Sequence, residues 1–239
     1  RIVLNADDIT LTAVTIDNGA QRASVALDDD TETATLSFPQ PIAAGRHQLR
    51  IVFTGKINKS GPGLYVVDYP TDKGNRRMIS SHLAPADARR VFPCFDEPAF
   101  KATFALAVTV PRAFLAVSNM PVAKEEPVNA TSKKVSFLST PKMSSYLLEL
   151  TAGELERITG EVDGVEIGVI ATSGKREQGR FALASAIDLL RYLNDYFGVK
   201  YPLPKLDLIA IPHGHVSAME HWGAVTFRES ALLFDPASS

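Results

Sequence analysis

Five polar side chains that could take part in chemistry lie close together near the end of the sequence. They are His213, His215, Glu220, His221 and Arg228. A His-x-His pair on a strand places both rings on the same face, and a nearby carboxylate could complete a set of three metal ligands. A metal site is therefore one hypothesis. The other, which we favour because such pairs more often bind nothing, is that these histidines line a groove.

Two predicted strands would hold this cluster in place. Residues 206–211 are mostly apolar and predict a buried strand. Residues 224–227 predict a second strand, which follows the histidines and Glu220 and directly precedes Arg228. A loop that follows a buried strand holds its side chains on a fixed backbone while leaving them open to solvent. The loop between the two strands is therefore the expected place for a site.

An amphipathic helix is predicted over residues 177–197, before these strands. Gly198 follows it in the position of a C-terminal glycine cap, and Pro202 and Pro204 prevent the helix from resuming. Its apolar side chains recur at helical spacing and form one stripe: Phe181, Leu183, Ala184, Ala186, Ile187, Leu190, Leu193 and Phe197.

The earlier residues alternate between polar and apolar side chains and are interrupted by turn-forming clusters, which is typical of half-buried antiparallel strands. We predict a mainly β fold, an antiparallel sandwich or saddle-like sheet, over residues 1–155. The predicted strands are 9–16, 34–38, 47–53, 63–68, 76–81, 103–110, 115–118, 133–138 and 146–153, and residues 161–171 also alternate.

The second unit, residues 156–239, contains too few elements to bury its own faces. We therefore predict that it is the start of a larger domain, with the boundary near residues 153–160. The first residues, Arg1–Asn5, predict the middle of a strand, so we also expect the natural protein to extend upstream.

Composition excludes several classes of protein. The chain has 25 basic and 27 acidic residues, well mixed, so no basic patch for nucleic acid or anionic lipid is expected. The sequence contains no run of 18 apolar residues, so no membrane span is predicted. Cys94 is the only cysteine, which excludes an intrachain disulfide and a zinc site built from several cysteines. We expect a soluble protein; whether it is cytoplasmic or exported, and its oligomeric state, stay open.

Three motifs occur in order along the chain. Residues 86–98 read ADARRVFPCFDEP, residues 143–148 read MSSYLL, and residues 217–229 read SAMEHWGAVTFRE, followed by Leu232–Pro236. Together they resemble the M1 (gluzincin) zinc aminopeptidases of the aminopeptidase N type. The resemblance implies a β-rich amino-terminal domain followed by the first strands and helix of a thermolysin-like α+β catalytic domain.

The resemblance also implies a substrate site. The glutamate matched by Glu220 binds the free α-amino group of a peptide, and the backbone at Ser217 and Ala218 would run beside the substrate. Met219 and His221 belong to the same segment, and His82 is a weaker candidate for substrate binding. The implied partner is a peptide with a free amino terminus, and the implied reaction is removal of its first residue.

The zinc signature of that family, H-E-x-x-H, does not occur in these 239 residues. We therefore expect no catalytic residue and no metal ligand in this chain. Zinc would be bound by the full-length parent, whose signature we expect shortly after residue 236. The chain alone is predicted to be inactive.

Several positions depart from the family pattern. Ala84 stands where a second glutamate would help to hold the substrate amine, His82 stands at a glutamine, His221 at an asparagine and Ser217 at a glycine. An alanine side chain cannot accept a hydrogen bond from an ammonium group. These departures leave open an active peptidase with unusual preferences and a non-catalytic peptide-binding relative. An epoxide-hydrolase-like relative also stays open.

The first motif has a structural interpretation. Asp87, Arg89, Arg90, Asp96 and Glu97 are predicted to form a buried ionic network, because paired charges in a fold usually fix geometry rather than react.

Overall fold

A computed structural model describes residues 1–72, 74–214 and 216–235. It confirms a mainly β fold with antiparallel sheets. The strands of the first part are β1 (Ile2–Asn5), β2 (Ile9–Ile16), β3 (Gln21–Arg22), β4 (Ser24–Asp28), β5 (Thr33–Ser37), β6 (Leu49–Gly55), β7 (Gly63–Thr71), β8 (Gly74–His82), β9 (Lys101–Ala102), β10 (Ala107–Pro111), β11 (Leu115–Ser118), β12 (Val122–Pro127), β13 (Ser132–Phe137), β14 (Met143–Ser144) and β15 (Leu150–Gly153). The later part contains β16 (Leu155–Val162), β17 (Val165–Thr172), α1 (Arg180–Phe197), β18 (Lys205–Ile211), β19 (Ala218–Met219), β20 (Ala224–Arg228) and α2 (Glu229–Leu232).

The amino-terminal strands form two small sheets, with the orders β1-β5-β4 and β3-β2-β6. Alternate side chains of these strands point to a shared core, which contains Leu4, Val14, Ala34 and Leu36. Period-two alternation therefore produces the sandwich-like packing that the sequence predicted.

A four-stranded sheet, β11-β15-β8-β7, follows, and the small sheet β10-β13-β12 covers part of it. Val110 and Phe137 of the small sheet pack with Ala116 and Ala152 of the four-stranded one. The four-stranded sheet is thereby held on one face, which leaves its other face for the later part of the chain.

A five-stranded sheet, β16-β17-β18-β20-β19, forms that later part. Strands β17, β18 and β20 run parallel, while β16 and β19 pair antiparallel at the two edges. Helix α1 connects β17 to β18, as a parallel crossover requires. Tyr65 and Met78 of the four-stranded sheet pack against Ile170 and Ile209 of the five-stranded one, so the two sheets share a core.

Helix α1 covers the opposite face of the five-stranded sheet, but with a different stripe from the one predicted. Its buried or half-buried apolar positions include Ala182, Leu183, Ala186, Ile187 and Leu190. The prediction that four other positions share this face is wrong, because all four are exposed: Phe181, Ala184, Leu193 and Phe197. The helix is apolar on two sides, so periodicity alone does not show which side meets the sheet.

Two predicted strands are shorter in the structure. Residues 103–106 are irregular, because the backbone of Phe104 exchanges hydrogen bonds with Thr140. At the second place, Ser145–Leu147 forms a 3-10 turn that buries Leu147, and the strand begins only at Leu150. Both segments are apolar, and an apolar run does not distinguish a strand from a buried turn.

The alternating residues 161–171 prove to be parts of two strands. β16 and β17 pair as a hairpin whose turn is Asp163-Gly164, with φ of 52° and 79°. Two successive residues with positive φ are the hallmark of the tight hairpin turn that Asp-Gly favours. The structure thus adds β16 to the predicted strands, and also β3, β4, β9, β12, β14 and β19.

The change from the four-stranded to the five-stranded sheet occurs between Gly153 and Leu155. That residues 1–155 and 156–239 are separate domains stays a prediction. Within the described ranges, no helix combines the length and the apolar character needed to cross a membrane.

Candidate functional site

Residues 217–223, which we call the anchoring segment, form a short hairpin at the edge of the five-stranded sheet. β19 pairs antiparallel with β20, and the Arg228 N–H donates to the Ser217 carbonyl at 3.0 Å. The Ala224 N–H donates to the His221 carbonyl at 3.1 Å and closes the turn. Since β19 is an edge strand, its outer backbone groups face away from the sheet.

The predicted site residues of this segment divide into two groups. Ser217, Ala218 and Glu220 are exposed, whereas Met219 and His221 are buried. The carboxylate of Glu220 therefore faces solvent beside the edge strand, while the imidazole of His221 lies beneath the segment. Their roles in substrate binding stay predictions.

A small pocket lies next to the segment, and its lining includes Val216, the residue directly before the segment. Tyr65 and His82 line it from the four-stranded sheet, and Ile211, Thr226 and Phe227 line it from the five-stranded sheet. The structure therefore places His82, the most distant of the predicted site residues, in the same region as the anchoring segment. Burial raises the pKa of Tyr65 to about 12, so its hydroxyl stays protonated at neutral pH.

Beneath the segment, the carboxyl group of Glu149 lies next to the imidazole of His221. Glu149 Oε2 is 3.6 Å from His221 Nδ1, and both side chains are fully buried. Ser81 Oγ donates to Oε2 at 2.8 Å and Thr151 Oγ1 donates to Oε1 at 2.5 Å. Burial raises the pKa of Glu149 to about 7, against the effect of these hydroxyl donors.

Asn119 connects this pair to the anchoring segment. Its side-chain Nδ2 donates to the carbonyls of Leu147, at 2.7 Å, and Trp222, at 2.9 Å. Its Oδ1 accepts the Glu149 N–H at 2.9 Å. One buried amide thus joins the first part of the chain to the segment that carries Glu220.

A second buried group holds the end of the segment. Lys205 Nζ donates to the Gly223 carbonyl and to Asp207 Oδ2, both at 2.7 Å, and the Asp207 N–H donates to the same carbonyl at 3.0 Å. Arg157 donates to Asp207 Oδ1 from β16. Burial lowers the pKa of Lys205, and the Asp207 carboxylate opposes that shift.

The ionic network predicted for the first motif forms, with three additional partners, Asp7, Asp8 and Glu32. Arg89 contacts Asp96 at 3.1 Å and Glu32 at 2.8 Å. Arg90 contacts Asp87 at 3.0 Å and Asp7 at 2.6 Å. The network ties the first sandwich to the turn after β8. Glu97, also predicted to take part, is exposed.

The metal hypothesis receives no support from the described residues, which contain no group of three or more His, Cys, Asp or Glu side chains placed to hold a metal ion. His213 is exposed. His215 and Pro236, which belong to predicted motifs, lie outside the described ranges.

Sequence reasoning did not single out Glu149, Asn119 or Lys205. A signal for Glu149 exists, because it is a lone carboxylate inside the apolar run from Tyr146 to Leu150. An ionisable group in such a run is either buried with partners or turned to solvent, and the sequence does not say which.

Comparison with known proteins adds evidence of a different kind. The model of the Peptidase M1 N-terminal domain matches residues 1–147, and the model of the Peptidase family M1 domain matches residues 181–239. The chain is 47% identical over 240 residues to "Aminopeptidase N" of Acetobacter pasteurianus, covering 100% of the chain and 67% of that relative.

Two eukaryotic relatives match less of their own length. "Aminopeptidase M1" of Arabidopsis thaliana is 39% identical over 246 residues, covering 100% of the chain and 28% of the relative. "Puromycin-sensitive aminopeptidase" of Caenorhabditis elegans is 42% identical over 212 residues, covering 87% of the chain and 22% of the relative. The chain therefore spans well under a third of these two proteins.

Proposed function

Because the chain belongs to the peptidase M1 family, we propose that it is the amino-terminal portion of a zinc-dependent aminopeptidase, which removes the first residue from peptides. Relatives from a bacterium, a plant and a nematode are all named aminopeptidases. The proposal concerns the whole protein, since the chain spans 67% of the bacterial relative and less of the others.

The observation that carries this proposal is the exposed carboxylate of Glu220 beside an edge strand. A fixed carboxylate attracts the ammonium group of a peptide, and only the first residue of a peptide has an α-ammonium group. The free edge of β19, at Ala218, offers backbone donors and acceptors to an extended peptide. Glu220 would then set where the peptide begins, and the edge strand would align it.

In this proposal a part of the protein outside these residues would hold a zinc ion, which would supply the activation of the attacking water. The described residues contain no metal-binding group of their own. The role of this chain is to bind and orient the peptide, and we propose that it is inactive alone.

A specific feature favours a second candidate, a non-catalytic peptide-binding relative. Ala84 lies where the family resemblance implies a second carboxylate for the amine, and its side chain can offer none. Binding would then depend on Glu220 and the edge strand alone. Assays of the zinc-loaded, full-length protein with aminoacyl reporter substrates separate the two candidates, because only the peptidase releases the reporter.

Replacing Glu220 tests the anchoring role in that protein. Glu220→Ala removes a charge-assisted hydrogen bond worth about 1.5–3 kcal/mol, so we expect kcat/KM to fall by roughly 10- to 100-fold, mainly through a higher KM. Glu161→Ala, at an exposed carboxylate on β16, is the matched control and should leave kcat/KM unchanged. An unchanged kcat/KM in Glu220→Ala would refute the anchoring role.

A further inference from the structure

Glu149 and His221 form a buried pair that no step of the proposed reaction requires. Both side chains are 0% exposed, and Nδ1 and Oε2 are 3.6 Å apart. Neither ring nitrogen of His221 has a hydrogen-bond partner among the described residues. A polar ring that is buried without a partner is costly, which points to a purpose beyond packing.

The buried position limits how many protons the pair can hold. With two protons the pair carries a net positive charge and with none a net negative one; with a single proton it is neutral. Both charged states are costly in a site without solvent, so the one-proton state is favoured and the two groups titrate as a unit. Burial, helped by the nearby His82, lowers the pKa of His221 to about 3. The proton therefore lies on Glu149 up to about pH 7.

The other ionisable groups around the pair do not take over the role of the proton that the pair holds. His82, at the end of β8, acts on His221 electrostatically. Tyr65, on β7, stays neutral near pH 7 because its pKa is about 12. On the far side of the segment, the Lys205 ammonium is already bonded to Asp207 and to the Gly223 carbonyl.

We propose that Glu149 is a positioning residue for the anchoring segment, which it holds through the single proton that it shares with His221. This inference rests on the proposed function of the segment. His221 directly follows Glu220 in the chain, and the Glu149 N–H binds Asn119, which in turn binds the Trp222 carbonyl. Glu149 thus acts on the segment at His221 and at Trp222, the two residues that follow Glu220.

Loss of the proton changes what the imidazole must do. The protonated carboxyl group donates toward Nδ1, so the ring of His221 carries its own proton on Nε2; a shift of less than about 1 Å brings the two atoms to hydrogen-bond distance. Once the proton leaves to solvent, the carboxylate can only accept. The ring proton then moves to Nδ1, and the contact reverses its polarity.

The imidazole spectrum of His221 tests this pair without any enzyme activity. In the chain labelled with ¹⁵N at histidine, and with His221→Asn used to assign the signal, we expect the ring to change from the Nε2–H to the Nδ1–H tautomer near pH 7. Glu149→Gln keeps an amide donor facing Nδ1, so it should hold the Nε2–H tautomer from pH 6 to pH 9. Glu154→Gln, the same change at the other end of β15, should follow the wild type. A wild-type ring that does not respond near pH 7, or that responds equally in Glu149→Gln, overturns the proposal.

Kinetics of the full-length, zinc-loaded protein test the positioning role. We expect the KM of wild type, divided by the KM of Glu149→Gln at the same pH, to rise severalfold across pH 7, while the corresponding ratio of kcat changes less. Titration of the substrate amine cancels in this ratio. If this ratio of KM values stays constant across pH 7 while the ring spectrum changes as expected, the positioning role is overturned. If the protein hydrolyses no aminoacyl substrate, the proposed function fails, and the ring spectrum still decides whether the proton is shared.

Discussion

In the site, the backbone of Gly223 lies directly against that of Asn119. Gly223 has φ of +74°, and a Cβ built on it would lie 2.3 Å from the Asn119 carbonyl oxygen. Residues other than glycine rarely adopt this backbone conformation, and here there is also no room for a side chain. Gly223 therefore lets the anchoring segment lie directly against the loop that follows β11.

Gly223→Ala should be markedly destabilising for this reason. The left-handed conformation costs about 1–2 kcal/mol for alanine, and moving the Asn119 backbone adds to that cost, so we expect a loss of at least about 2 kcal/mol in the free energy of unfolding. Gly198→Ala is the matched control, because its φ is +65° but no atom lies within 4 Å of the added Cβ. Urea unfolding of both variants measures the difference. Equal losses would show that the close approach contributes nothing.

How far the site could be predicted differs from residue to residue. Glu220 was identified because its whole segment carries a family pattern in consecutive residues, and the structure exposes its side chain next to β19. Glu149 and His221 meet only because β15 and the anchoring segment converge in the fold. No local pattern links them, so their contact could not be predicted from one sequence.

At the scale of elements, Asn194 is the side chain that fixes helix α1 to its surroundings. It is buried, and its Nδ2 donates to Asp163 in the turn between β16 and β17 at 2.8 Å. Its Oδ1 accepts the Tyr201 N–H at 2.9 Å, in the loop that leads to β18. One amide thus fixes the helix to the turn before β17 and to the loop before β18, which lie at the same end of these parallel strands.

Asn194→Ala should lower the free energy of unfolding by about 1–3 kcal/mol, because it leaves buried polar groups without partners. Asp195→Ala, at the next and exposed position, is the control: asparagine and aspartate have similar helix propensities, so both changes gain a similar small amount from alanine. Thermal unfolding of the two variants checks the prediction. If Asp195→Ala is destabilised as much as Asn194→Ala, the bridge has no energetic role.

Elements with a clear local signal were predicted well. β2 matches its predicted bounds, and Gly198 has the left-handed conformation expected of a helix cap. The hairpin at Asp163-Gly164 also has a local signal, the Asp-Gly pair, but alternation continued across it and concealed the turn. The buried side of α1 has no local signal, since tertiary packing selects between two apolar faces.

At the scale of the whole molecule, the anchoring segment lies where the two largest sheets meet. Its polar contacts come from both sides: Asn119 and Glu149 from the first part of the chain, and Lys205 from the five-stranded sheet. Movement of one sheet against the other would therefore strain these contacts. Buried ionisable groups therefore affect both the free energy that holds the two parts of the chain together and the geometry of the anchoring segment.

This coupling predicts how the stability of the molecule depends on pH. The pKa of Glu149 is raised from 4.5 to about 7 in the folded protein, so its contribution to stability is lost as pH rises from 4.5 to 7. The pKa of His221 is lowered from 6.5 to about 3, so its contribution is lost as pH falls from 6.5 to 3. Between pH 4.5 and 6.5 the folded and the unfolded pair each hold one proton, and the two trends cancel.

The difference in free energy of unfolding between wild type and the double variant Glu149→Gln/His221→Asn isolates this term, because neither replacement titrates. We expect the difference to be constant from pH 4.5 to 6.5. As pH falls below 4.5, the wild type should lose stability relative to the double variant by about 1.4 kcal/mol per pH unit, down to about pH 3. Above pH 6.5 the shift should stay below about 1 kcal/mol and end near pH 7, where the folded pair also loses its proton. Urea unfolding at half-unit pH steps measures the profile. A slope that persists between pH 4.5 and 6.5 would mean that the folded pair does not hold one proton, and the account of Glu149 would have to be abandoned.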